Sequence, residues 1–212
     1  MSDFEIPESV RRRLGPVPPT SPRRQAVREC AAGVREVIAA ITETTASQGH
    51  LAAALGHLDA AVSLLRTDDG EDPANSHSEL GKEFGPMFGL SRPMAPPMHI
   101  YVDGDTIVGE VTFGPAYAGP PGHVYGGTIA SAFDDVLALA PQADDAIAVT
   151  VALNVSYRKR TPIGVPLRFE GRVTAVDGRK VIATGVCLAD GEVTATGEGV
   201  FIRVPRSAFV EH

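Results

Sequence analysis

The chain has 212 residues, 43% of them hydrophobic, which fits one domain with an appendage or two small domains. Its formal net charge of -7 argues against nucleic acid as the main partner, and the short clusters Arg11-Arg12-Arg13 and Arg23-Arg24 read as solvated N-terminal charge. No apolar run approaches the roughly 18 residues of a membrane span, the opening MSDFEIPESV lacks the apolar core of a signal peptide, and two distant cysteines, Cys30 and Cys187, imply no disulfide framework; a cytoplasmic, reducing setting is expected.

In chain order, residues 1–21 carry prolines and no periodic pattern, and are expected to be an extended or disordered lead-in. Ser21-Pro22 reads as a helix start, with serine at the N-cap and proline in the first turn. Val27, Ala31, Val34, Ile38 and Ile41 follow at helical spacing. A second helix begins near Ser47, with Leu51, Leu55, Leu58, Val62 and Leu65 as its stripe. Residues 22–67 are therefore expected to form a helical hairpin. Residues 68–94 read as a linker, rich in Gly, Pro, Ser, Asp and Glu. Phe84, Met87, Phe88 and Leu90 are its apolar exceptions, suited to docking on the domain that comes next.

From residue 95 the period changes to two. Met98–Val102 and Thr106–Phe113 read as strands joined at Asp103-Gly104, a hairpin turn signal. After a helix, Ile147–Tyr157 alternates. Ile147, Val149, Val151, Leu153, Val155 and Tyr157 form one face, expected to be core. Ala148, Thr150, Ala152, Asn154 and Ser156 form the other, small and polar, suited to a site or an interface. Leu167–Val176, Lys180–Ala189 and Glu192–Ile202 alternate again around Asp177-Gly178 and Asp190-Gly191. The order is strand, strand, helix, then four strands joined largely as a meander, with residues 206–212 as a tail. An apolar helix flanked by strands buries itself only by lying across the sheet. The class is α+β, an antiparallel sheet wrapped around one central helix, and its open face is suited to pairing copies of the chain.

The stretch GPPGHVYGGTIASAFDD, residues 119–135, carries the chemistry. Its Gly and Pro residues demand a loop. Gly126-Gly127 then opens a helix whose first N–H groups have no intrahelical partner and no side chain to shield them. Such donors, at the positive end of the helix dipole, suit a carbonyl oxygen that becomes negative. The helix is apolar almost all round, yet holds Asp134 and Asp135, and a buried carboxylate is costly unless paired or functional. Asp134 lies two turns beyond Gly127 on the same face. The competing account has one aspartate exposed and the other capping a neighbouring backbone. No GxSxG elbow, P-loop or GxGxxG occurs. Of the six histidines only His50 and His57 share an element, so no metal site is expected. Cys187 has no His or basic neighbour in sequence, so no catalytic thiol is expected.

In order and spacing, APPM before the first strand, GPPGHVYGG, FDDVL and LNVSYRKRTP resemble the PaaI-like hotdog-fold acyl-CoA thioesterases, over about Ala95 to Pro205. The resemblance implies a hotdog domain over 95–205 that hydrolyses an acyl-CoA thioester, with CoA as part of the substrate and no separate cofactor. It implies a homo-oligomer, a dimer or dimer of dimers. Carried over, the Gly126 N–H donates to the thioester carbonyl. Asp134 is the general base or nucleophile, and Thr150, sixteen residues on, orients the water or the carboxylate. Gly127 and Asn154 are expected to contact substrate. Arg158, Lys159 and Arg160 lie where such proteins meet the CoA phosphates, or form a solvated loop. Tyr125 stands where the family has histidine. A phenol is no base at neutral pH, though it donates a hydrogen bond. That departure leaves a second reading, an acyl-CoA-binding hotdog protein that does not hydrolyse. A hotdog dehydratase is weaker, because its Asp-His constellation is missing. The N-terminal helices are an addition to the minimal domain.

Overall fold

The computed structural model describes residues 5–15, 20–67, 83, 85–143 and 145–209. The described helices are α1 (Glu8–Leu14), α2 (Pro22–Thr42), α3 (Gln48–Leu65) and α4 (Gly126–Leu139). The strands are β1 (His99–Asp103), β2 (Thr106–Thr112), β3 (Ala146–Tyr157), β4 (Pro166–Asp177), β5 (Lys180–Ala189) and β6 (Glu192–Pro205). They form one antiparallel sheet in the order β1-β2-β4-β5-β6-β3. α4 lies across its inner face, and the expected α+β hotdog architecture is present. None of the described helices is long and apolar enough to cross a membrane.

The Asp-Gly turns close as their chemistry requires. Gly104, Gly178, Gly191 and Asp190 adopt positive φ, which hairpin turns of the I′ kind need. The strand order departs from a four-strand meander. Only β4, β5 and β6 run consecutively, while β3 crosses to the far side of β6. Residues 158–165 make that crossing. With Pro162 and Gly164 in it, the segment is too long and too irregular for a two-residue hairpin, so β3 and β4 need not be neighbours.

A row of glycines seats α4. Gly171 pairs with Gly185, and Gly185 with Gly197, across β4, β5 and β6. A Cβ on Gly171 would come within 2.9 Å of Val136, and one on Gly197 within 2.7 Å of Phe133. A Cβ on Gly185 would collide with the Glu170 carbonyl. The missing side chains let the helix approach the sheet, and Ile129, Phe133, Val136 and Leu137 fill the space. Phe133 meets Phe169 edge-on, with centroids 5.3 Å apart, a favourable quadrupole arrangement.

The N-terminal region differs from expectation in two places. Within the supposed lead-in, Glu8–Leu14 is helical. Ile6, Val10 and Leu14, spaced by four, are buried in the main core, and Arg11 Nη2 donates to the Gly104 carbonyl at 2.7 Å. So short a stripe between prolines is invisible as a period, and packing on β1 stabilises it. Residues 1–4 and 16–19 lie outside the described residues. Second, α2 and α3 do not form a packed hairpin. Both start where expected, with Ser21 and Ser47 accepting the N–H of Arg24 and His50, but every residue of α3 is exposed. α2 instead packs on the 3-10 turn Pro115–Tyr117.

Most of the expected linker, residues 68–82 and Phe84, lies outside the described residues. Its end is held down. Met87 and Phe88 are buried in the core, and the Met87 N–H donates to Asp135 Oδ2 at 2.9 Å. Buried Glu83 accepts from Arg28 of α2 and from Ser91. Burial pushes the Glu83 carboxyl up, but the Arg28 and Ser91 bonds and the Arg28 charge outweigh it, and the net shift is downward.

This packing sets two expectations for stability. Gly185→Ala places a methyl against a backbone carbonyl that cannot swing aside, so it should lower unfolding free energy by about 1–3 kcal/mol in urea melts. Asp135 is raised from 3.8 to about 6, chiefly by burial, with the Met87 bond opposing and the Asp134 charge adding. The folded chain therefore holds this proton more tightly than the unfolded one, and stability falls as pH rises from about 4 to about 6. Asp135→Asn keeps an acceptor for Met87 and removes that slope. Its Tm should exceed wild type at pH 8, by roughly 2–4 °C per kcal/mol relieved, with the difference closing near pH 4.

Candidate active site

The start of α4 is built by the loop before it. Gly119 donates to the His123 carbonyl at 3.0 Å, Val124 to Thr161 at 2.9 Å, Ile163 to Gly122 at 3.1 Å and Tyr125 to Tyr117 at 2.9 Å. Gly122 sits at φ 74, a conformation that glycine adopts freely. These bonds stitch the GPPG loop to the β3–β4 connection and aim the chain into the helix. Tyr125 is the N-cap, with no side-chain cap. The N–H groups of Thr128 and Ile129 go to its carbonyl. Among the described residues, the N–H groups of Gly126 and Gly127 have no protein acceptor. They are the oxyanion-type donors that the sequence singles out.

Two tyrosines flank this glycine pair. A Cβ on Gly127 would collide with the Tyr125 ring, and one on Gly126 would lie 3.3 Å from the Tyr157 hydroxyl. Tyr157 donates to the Gly126 carbonyl at 2.8 Å. The pair is glycine for steric reasons as well as for donor exposure. Sequence reasoning missed Tyr157, leaving it as the end of an apolar row. Its signal was a hydroxyl closing that row, next to the basic run.

The two aspartates part company. Asp134 is half-buried, and its Oδ1 accepts from Thr150 Oγ1 at 2.8 Å. Asp135, next along the helix, turns to the Met87 N–H. One carboxylate thus caps a neighbouring backbone, as the competing account had it. The other stands beside a hydroxyl of the same chain.

The face assignment of β3 needs correction. Thr150 pairs with Phe201 and Ala152 with Val200, leaving Val151 as a bulge residue. A bulge reverses the parity of the residues beyond it. Ala148 and Thr150 face α4 before it, and Leu153, Val155 and Tyr157 face α4 after it. Asn154 therefore lies on the opposite, outer face from Thr150. It lines a shallow polar groove there with Arg172, Thr184 and Glu198, away from Asp134. The apolar run continues through Val151 without interruption, so alternation could not reveal the extra residue.

The basic run comes directly after Tyr157, at the end of the sheet where α4 begins. Arg158 and Lys159 donate their N–H groups to the Thr194 carbonyl. Lys159 Nζ meets Glu192 at 2.9 Å, an exposed pair, while the side chains of Arg158 and Arg160 are solvent-exposed. His123 Nδ1 is engaged by the Pro121 carbonyl at 2.7 Å, turned to its own loop rather than to α4. Cys187 is buried, and burial pushes its thiol up to about 11 against the Thr194 hydrogen bond, which leaves it unreactive. Among the described residues no group of His, Cys, Asp and Glu could hold a metal ion.

Residues 121–195 match the thioesterase superfamily model. The crystal structure of a thioesterase superfamily protein is similar over 88% of this chain and 97% of its own, at 29% identity and a TM-score of 0.73. A thioesterase superfamily protein from Shewanella loihica is 31% identical over 51% of this chain and 91% of its own, with a TM-score of 0.45. The PaaI protein of the E. coli phenylacetic acid degradation operon is 17% identical over 51% of this chain and 80% of its own, with a TM-score of 0.48. The long shared fold, the matched segment and the glycine-led central helix lead to one conclusion: residues 121–195 belong to a thioesterase superfamily domain, of hotdog fold, which helices precede.

Proposed function

We propose that the chain hydrolyses an acyl-CoA thioester to the free acid and CoA, with Asp134 as general base or nucleophile. The observation that carries this reading is the 2.8 Å bond from Thr150 to Asp134, on the helix whose N-terminal donors are free. Thr150 holds one carboxylate oxygen and leaves the other for water or the thioester carbon. In the base route, Asp134 takes a proton from water as the oxygen attacks the carbonyl. The oxyanion accepts from the Gly126 N–H, with Gly127 beside it and the helix dipole behind both. Collapse breaks the C–S bond, and the proton held by Asp134 goes to the leaving thiolate.

Arg158 and Arg160, exposed at the same end, suit the phosphates of CoA. Lys159, already paired with Glu192, is the weaker member of that run. Asn154 faces outward and has no place in this scheme. Tyr125, with its ring on Gly127, borders the thioester position, where its hydroxyl can donate a hydrogen bond. Copies of the chain are expected to associate in the cytoplasm as a dimer or dimer of dimers. The free edge of β3, with Val149 and Val151 exposed, supports this.

Free-thiol release from short, long and aromatic acyl-CoAs tests the reading. Asp134→Asn should lower turnover by about 10²–10⁴ at unchanged Tm. Equal turnover in that variant would sink it. Thr150→Val, which frees the carboxylate to rotate, should cost roughly tenfold or more in kcat with little change in KM. The tyrosine in place of histidine favours one other reading, ligand binding without hydrolysis. Acyl-CoA binding by calorimetry with no thiol release, restored by Tyr125→His, would establish that instead.

A further inference from the structure

α4 turns a narrow strip away from the sheet. Ile129, Ala132, Phe133, Val136 and Leu137 are buried in the core. Gly127 and Asp134 are half-buried, and Ser131 is exposed. At about 3.6 residues per turn, Ser131 and Asp134 fall about 40° and about 20° to either side of Gly127. Ser131 therefore stands on the strip between the unshielded N–H donors and the carboxylate, about one turn from each.

The polarity of the Ser131 hydroxyl is fixed by its partner. Oγ lies 3.0 Å from the Gly127 carbonyl oxygen. A carbonyl only accepts, so the hydroxyl spends its one proton there and turns lone pairs to the site. Asp134 is in the matching condition: Thr150 donates to Oδ1, which leaves Oδ2 as an acceptor. Residues three apart on a helix have Cβ atoms about 5–6 Å apart, a span that one water bridges. A water between two acceptors donates a hydrogen to each. Its free lone pair is then available to an electrophile, and a thioester carbonyl resting on the Gly126 and Gly127 N–H groups presents its carbon on the same strip.

We propose that Ser131 is a further catalytic residue, which holds the attacking water together with Asp134, and that hydrolysis takes the base route. The proposal rests on the hydrolysis reading and deepens it at the same site. One O–H bond of the water breaks and its proton goes to Asp134 Oδ2 while the oxygen forms the C–O bond. The second hydrogen, donated to Ser131 Oγ, stays on that oxygen and becomes the hydroxyl of the acid. The C–S bond then breaks, and the departing thiolate takes the proton from Asp134. Direct attack by Asp134 on the carbon would give the Ser131 acceptor no part in breaking the thioester.

The test is thiol release from acyl-CoAs by the full chain, comparing wild type with Ser131→Ala, Ser131→Thr, Asp134→Asn and Asp134→Asn/Ser131→Ala. Ser131→Ala should lower kcat by about tenfold to a hundredfold with little change in KM. Its Tm should not fall, since alanine favours a helix and a serine back-bond does not. Ser131→Thr, whose hydroxyl can make the same bond to the preceding turn, should recover most of the loss. The double variant should be no slower than Asp134→Asn, because both residues act on one water. Equal kcat in wild type and Ser131→Ala, beside a slow Asp134→Asn, would overturn the role of Ser131 and leave hydrolysis standing. So would losses that multiply in the double variant, or an acyl group trapped on Asp134 by rapid quench and found by mass spectrometry. A wild type that releases no thiol would overturn both readings together.

Discussion

The structure depends on how closely α4 can approach the sheet. A helix that is apolar on nearly all sides has to be enclosed, and an antiparallel sheet encloses it only by curving around it. Side chains on the inner face of β4, β5 and β6 would hold the two apart. Gly171, Gly185 and Gly197, in register across those strands, remove the obstacle. Phe133, Val136 and Leu137 then occupy the space a Cβ would have taken. The same close approach brings Asp134 on the helix within hydrogen-bond distance of Thr150 on β3, so core packing and site geometry share one cause.

At the helix start the same economy of side chains has two consequences. Gly126 and Gly127 expose backbone donors, and they also make room for the rings of Tyr125 and Tyr157. Tyr157 donates to the carbonyl of the Gly126–Gly127 peptide. Hydrogen bonds in chains polarise one another, so this contact strengthens the adjoining Gly127 N–H as a donor. A loop network of backbone hydrogen bonds holds that peptide in place, and the N-terminal elements support it from behind. α2 rests on the 3-10 turn that enters the loop, and the residue 85–91 segment is tied to Asp135. The two neighbouring carboxylates of α4 therefore serve different ends. One holds a backbone segment against the helix, and its burial raises it to about 6. The other faces a hydroxyl on the strand.

Much of this was legible in the sequence because it is local. The helix caps at Ser21 and Ser47, the Asp-Gly turns, the strand periods and the glycine pair before an apolar helix all depend on residues close together in the chain. The candidate carboxylate and its hydroxyl partner were legible through family resemblance, and the bond between them comes from the fold. Three features were not legible. The α1 stripe of Ile6, Val10 and Leu14 is too short to stand out between prolines. The bulge at Val151 inserts an apolar residue into an apolar run, so alternation continues unbroken while the faces exchange. That is why Asn154 was grouped with Thr150 and lies on the other side of the sheet. The hairpin of α2 and α3 was expected from their short connection, which permits packing between the two helices without enforcing it.

The sequence by itself determined the element types, the turns, the central helix and the presence of unshielded donors at its start, because propensity, capping and backbone conformation are set within a few residues. Only the tertiary structure decided which backbone N–H Asp135 caps, which face of β3 is inner, where β3 joins the sheet and that α3 is left uncovered by the described elements. Each of those turns on register or on contact between distant segments. A single extra residue, or a contact not made, reverses the outcome without changing any local pattern.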